Sequence, residues 1–140
     1  MAARANYYTF TVQGKNSLLE AAGAHRSTAA CGSNETDHIV ELQLVVAALN
    51  TLPRTTYTRN GWEKELVNFF NRGLNLQCMQ RQQNGEKGQA VRKFINNDVW
   101  MTELERNWIR HIKQHWNEIK YQLHNFDGFK AALDGILSRV

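Results

Sequence analysis

With 140 residues, 42% of them apolar and 21% charged, the chain has the composition of one folded globular domain rather than of a disordered tail. Its longest uninterrupted apolar run, Leu44 to Leu49, falls far short of the roughly 18 to 20 residues that cross a bilayer, so no membrane span is expected. The net charge of +4 is gathered in the second half: residues 73–140 hold ten basic and seven acidic groups, against seven and six in residues 1–72. Such an excess permits a phosphate-polymer partner without requiring one.

The start, Met1 to Asn6, lacks the apolar core of a signal peptide, which leaves localisation open. Tyr7-Tyr8-Thr9-Phe10-Thr11-Val12 is rich in β-branched and aromatic residues and reads as a strand ending at Gln13-Gly14. Asn16 or Ser17 then caps a short helix through Leu18 and Ala22. The small and polar residues 27–36 predict a loop or a short irregular strand. From Ile39 to Asn50, apolar Ile39, Leu42, Val45, Val46 and Leu49 recur at three- and four-residue spacing and predict an amphipathic helix with Asp37 and His38 at its entrance. Pro53 ends that helix. A second begins near Gly61, with Trp62, Leu66, Phe69 and Phe70 on its inner face and Asn71-Arg72-Gly73 as its stop.

Asn84 to Gly88 reads as a turn, set between an apolar patch around Leu76, Cys78 and Met79 and a helix from about Gln89 to Asn96. A long helix follows from about Thr102, marked by Leu104, Trp108, Ile112, Ile119 and Leu123, and Asp127-Gly128 separates it from a last helix with Phe129, Leu133, Ile136 and Leu137. The expected class is α+β, mostly α, in a single domain over 1–140.

Cys31 and Cys78 are the only cysteines and neither belongs to a CxxC pair, which argues against a structural zinc finger. A disulfide between them and two buried free thiols are both open, because the compartment is unknown.

The chemistry-bearing residues are Asp37-His38-Ile39, then Asn75-Leu76-Gln77, then Asn84-Gly85-Glu86-Lys87-Gly88, with nine residues from Asn75 to Asn84. A carboxylate beside an imidazole can set a metal ion and a general base against one phosphate. In this order and spacing the three segments resemble the HNH branch of the His-Me finger (ββα-metal) nucleases, over roughly residues 31–95. Residues 96–140 would form a C-terminal helical part.

That resemblance implies phosphodiester hydrolysis of DNA or RNA, with His38 as general base and Asn75 fixing the loop or orienting His38. It implies one divalent ion held by Asp37 and Asn84, for which Mg2+ or Mn2+ suits oxygen ligands best and Zn2+ is the alternative. Arg81, Lys87 and Arg92 would meet substrate phosphate. Two departures accompany it. The two helices between His38 and Asn75 must be an insertion, and Gln80 and Gln83 stand where a zinc-stapled subtype carries cysteines. The alternative is an inactive module of the same fold that binds nucleic acid or protein, a secreted toxin or effector with a protein inhibitor among the forms it would take.

Other residues read more plainly. Asp37 at a helix start is commonly a dipole partner and His38 a half-buried polar residue. Glu41, four residues after Asp37, reads as solvent-facing or salt-bridged rather than as a further ligand. His111 and His115 have metal-ligand spacing but sit among Trp108 and Trp116, which favours helix packing. The sequon Asn34-Glu35-Thr36 reads as chance, since a glycan there would obstruct the site.

Overall fold

In a computed structural model of the chain, residues 31–140 are described; the expected strand over Tyr7–Val12 and the helix after Asn16 lie outside them. The order is β1 (Glu35–His38), α1 (Leu42–Asn50), α2 (Trp62–Phe70), β2 (Leu76–Met79), α3 (Arg81–Ile95), α4 (Glu103–Ile119) and α5 (Asp127–Leu137), with short 3-10 turns at Gly73–Asn75 and Lys120–Gln122. The fold is α+β and mostly α. No helix of the described residues is long and apolar enough to cross a membrane.

β1 and β2 form a two-stranded antiparallel sheet in which Glu35 faces Met79, Thr36 faces Cys78, Asp37 faces Gln77 and His38 faces Leu76. The pairing brings together segments 40 residues apart, and α1 and α2 are looped out between them. A disulfide joins Cys31 to Cys78, Cα atoms 5.3 Å apart, and ties the turn ahead of β1 to the middle of β2.

Three sequence expectations require correction here. The helix after the Asp-His pair begins at Leu42, not Ile39, and Asp37 and His38 lie in β1. The cause is a long-range clamp: the Ile39 amide donates to the Asn75 carbonyl at 2.8 Å, and the Asn75 side chain occupies both backbone groups of Val40. Those groups cannot also enter a helix. The helix itself is not amphipathic: Leu42, Leu44, Val45, Val46, Ala47, Ala48 and Leu49 are all buried, because α1 runs through the middle of the domain between α3 and α5.

A further correction concerns Asn84 to Gly88, which is helix rather than turn. α3 runs unbroken from Arg81 to Ile95. Two interior glycines cost about 1 kcal/mol each relative to alanine, yet burial of Lys87, Ala90, Val91 and Phe94 on one side outweighs that preference. The helix stops at a left-handed residue, Asn97 (φ 57°), where the Asn97 amide donates to the Phe94 carbonyl and the Asp98 amide to the Lys93 carbonyl.

The last two helices occupy the expected segments, although Leu104 is 65% exposed and Leu123 lies beyond the end of α4. Thr102 accepts from the Glu105 amide while the Glu105 carboxylate accepts from the Thr102 amide, a reciprocal cap that starts α4. Asp127-Gly128 is the first turn of α5 rather than a separator. Phe70, Trp116 and Phe129 meet at the core with ring centroids 5.9 to 6.2 Å apart, and the Trp116 indole N–H donates to Asp134 at 2.8 Å. His115 is a packing residue: its ring donates to the Leu74 carbonyl at 2.7 Å, tying α4 to the turn before β2, while His111 is exposed.

Candidate functional site

Alternation along β1 sends Glu35 and Asp37 to one face of the hairpin and Thr36 and His38 to the other. α3 lies on the first face. From it, Asn84 and Lys87, one helical turn apart, reach the two acidic side chains.

The Lys87 ammonium is fully buried and lies 2.6 Å from Asp37 Oδ2 and 2.7 Å from the His38 carbonyl oxygen. Gln77, the cross-strand neighbour of Asp37, donates to the same Oδ2 at 2.9 Å. Asp37 itself is 3% exposed, so a bare carboxylate here would be costly, and the ammonium supplies its counter-charge. Asn84 donates to Glu35 Oε1 at 2.8 Å, and the Arg81 guanidinium stands 3.7 Å from the other oxygen of Glu35 at the solvent edge.

The buried His38 leaves the opposite face of the strand toward the end of α2. Its Nε2 lies 2.8 Å from Asn71 Oδ1, and the Asn71 amide nitrogen donates to the Val67 carbonyl at 2.9 Å. With the amide so oriented, Nε2 carries the proton and donates.

Asn75 is completely buried. Its oxygen accepts from the Val40 amide at 2.9 Å, and its nitrogen donates to the carbonyls of Val40 and Phe70 at 3.1 and 3.0 Å. Of the two roles the resemblance implied, fixing the loop is the one its contacts serve. It joins the end of β1, the end of α2 and the start of β2.

The sequence-derived residues thus divide. Asp37, Asn84 and Lys87 share one face, His38 stands on the other, and Asn75 ties the base of both. Lys87, expected at a substrate phosphate, is instead buried against Asp37, and that expectation is corrected. Arg81 and Arg92 are exposed on the outer face of α3. Glu41 lies in the turn before α1, not on a helix shared with Asp37, and accepts from the Gln43 amide at 2.6 Å. Motif reading alone missed Asn71, Glu35 and the Gln77 contact. For Gln77 a signal existed: once Asp-His and Asn-Leu-Gln are paired antiparallel, Gln77 falls opposite Asp37.

The resemblance also implies a divalent ion between Asp37 and Asn84. The side chains as arranged do not fit one. Oδ2 of Asp37 already receives two donors, the Asn84 nitrogen is turned to Glu35, and no cluster of three or more His, Cys, Asp or Glu suited to a metal occurs among the described residues. Comparison with protein-family models, with curated proteins and with solved structures finds no match.

Proposed function

We propose that this chain is a His-Me finger-like module that binds nucleic acid without cleaving it, the exposed face of α3 meeting the phosphate backbone. The observation that supports this most is the separation of the two halves of the would-be catalytic pair. His38 is turned to Asn71 on one face, and Asp37 is neutralised by Lys87 on the other. A base and an electrophilic cation must flank the same phosphate to hydrolyse it, and here they flank different sides of a strand.

The binding surface rests on the helical period. Arg81, Gln82, Gly85, Gln89 and Arg92 fall within about 100° of one another, opposite the side of α3 that is buried. All five are exposed, and Glu86 is the only acidic residue of the helix. A Cβ added at Gly85 would meet nothing within 4 Å, so the middle of this face is open to a close approach. The two guanidiniums, eleven residues apart, are spaced by about 16 Å of helix, and the glutamine carboxamides between them both donate and accept.

Binding to DNA and RNA oligonucleotides, followed across a salt series, tests this reading. Arg81→Ala and Arg92→Ala are each expected to weaken binding several-fold and to lower the slope of log K against log salt by about 1. A slope near zero, or wild-type affinity in the double variant, contradicts it. The disulfide suits an oxidising compartment, which fits a secreted module.

A second reading is metal-dependent phosphodiester hydrolysis with His38 as base. One observation favours it: Asp37 and Asn84, the two residues the resemblance makes metal ligands, do lie on one face of the hairpin, through contacts of Lys87 and Glu35. It predicts cleavage in Mg2+ or Mn2+ that His38→Ala abolishes while circular dichroism stays unchanged.

A further inference from the structure

We propose that Trp100, on the turn between α3 and α4, is a stacking platform for an unpaired base, so that the nucleic acid this module takes is single-stranded. The inference rests on the reading of α3 as the phosphate-binding face and adds to it the class of strand.

Four large apolar side chains are exposed among the described residues, and three of them fall between positions 99 and 104: Val99 at 77%, Trp100 at 85% and Leu104. Single exposed apolar residues are ordinary, but a cluster built around an indole marks a contact surface. The turn that carries it is fixed at both ends. Behind it, the Asp98 amide is bonded back to the Lys93 carbonyl at 2.9 Å, and the Trp100 amide donates to Asp98 Oδ1 at 2.7 Å. Ahead of it, Met101 is buried and Thr102 caps α4. Trp100 is therefore presented by a formed turn, not by a loose end.

Its position decides what it meets. Asn96 is exposed and follows Arg92 by one helical turn on the face that holds Arg81, Gly85 and Gln89, and the turn with Trp100 begins there. A phosphate backbone tracked along the guanidiniums runs off the end of α3 toward the indole. The acidic groups around the turn each hold a partner: Asp98 the Trp100 amide, Glu103 the Arg110 guanidinium, Glu105 the Lys93 ammonium. In a duplex the base faces are covered by their neighbours, whereas a single strand offers them, and an aromatic ring stacks on any base. A protein partner is the weaker fit. By themselves the three side chains offer on the order of a few hundred Å2, against the roughly 800 Å2 per partner of a standard interface.

The test uses the full, disulfide-intact chain, a labelled oligothymidylate and a mixed-sequence duplex of equal length. Trp62 and Trp116 are buried and Trp108 packs against the core, so Trp100 is the exposed tryptophan of the four, and a stacked base reports itself by quenching its emission. Wild type is expected to bind the single strand more tightly than the duplex, with that quenching. Trp100→Ala, at an exposed position, should leave the thermal midpoint in place and weaken single-strand binding at least about fivefold with the salt slope unchanged. Trp100→Phe should keep most of the affinity.

Wild-type single-strand affinity in Trp100→Ala, with the salt slope still lowered by Arg81→Ala and Arg92→Ala, would overturn the stacking role and leave the phosphate face standing. Tighter binding of the duplex would overturn the strand preference. No salt-dependent binding of either probe would overturn both readings together. A wild type that dimerises in sedimentation, beside a monomeric Trp100→Ala that binds the oligonucleotide equally well, would assign the turn to a protein contact instead.

Discussion

The hairpin with α3 and the helical half made by α1, α4 and α5 are held by opposite means. Around β1 the decisive contacts are polar and join residues far apart in the chain: Lys87 to Asp37, Gln77 to Asp37, Asn75 to Val40, Asn84 to Glu35. In the helical half they are apolar, with Leu44, Ile109, Ile112, Trp116, Phe129 and Leu133 each essentially without exposure. Apolar burial is tolerant of exact partners, whereas a buried ion pair is not, because removing one member leaves the other uncompensated. The difference teaches where this sequence is specific and where it is merely compatible.

The comparison breaks most sharply at the two buried anchors. Trp116→Ala should cost about 3–5 kcal/mol through a cavity and the loss of the Asp134 contact, and no conservative partner change should recover it. Lys87→Met should cost a similar 3–5 kcal/mol for a different reason, the stranded Asp37 carboxylate. Urea unfolding with an unchanged slope would register both.

Next comes the staple. Cys31 and Cys78 are 47 residues apart, so replacing both by serine should cost about 4 kcal/mol by loop-closure entropy. Amide exchange is expected to quicken first in β1 and β2 and to leave α4 and α5 protected; uniform loss would show that the two halves are not distinguishable. Thr102→Ala should cost about 1 kcal/mol through the α4 cap, visible as fraying of its first turn.

The smallest effect is a pH dependence. The Lys93 ammonium, with the Thr102 cap behind it, holds the Glu105 carboxyl below its ordinary 4.5. A depressed carboxyl contributes stability above its unfolded value and loses it as pH falls through the folded one. Both groups are near water, so a slight decline beginning just under about pH 4.5 is expected, and it should vanish in Glu105→Gln.

The elements differed in how far the sequence disclosed them. The helices from Trp62, Thr102 and Phe129 were legible because apolar residues at helical spacing fall on faces that are then buried. The start of α1 and the continuity of α3 were not. Local propensity favoured a helix at Ile39 and a turn at Asn84-Gly85, and both were overridden by partners 35 to 50 residues away. The pairing of Asp37-His38 with the Asn75 segment, across two looped-out helices, was legible from motif order. That Lys87 would face Asp37 rather than solvent was not, since a lysine in a charged run carries no local sign of burial.

A double-mutant cycle between Asp37 and Lys87, run by chemical denaturation in a chelator, tests most directly whether an internal ion pair completes this site. The expected result is a wild-type stability unaffected by the chelator, large losses for Asp37→Asn and Lys87→Met singly, and a double variant that loses far less than their sum, with a coupling of at least about 2 kcal/mol. Additive losses, or a wild type that the chelator destabilises and Mg2+ or Mn2+ restores, would contradict it.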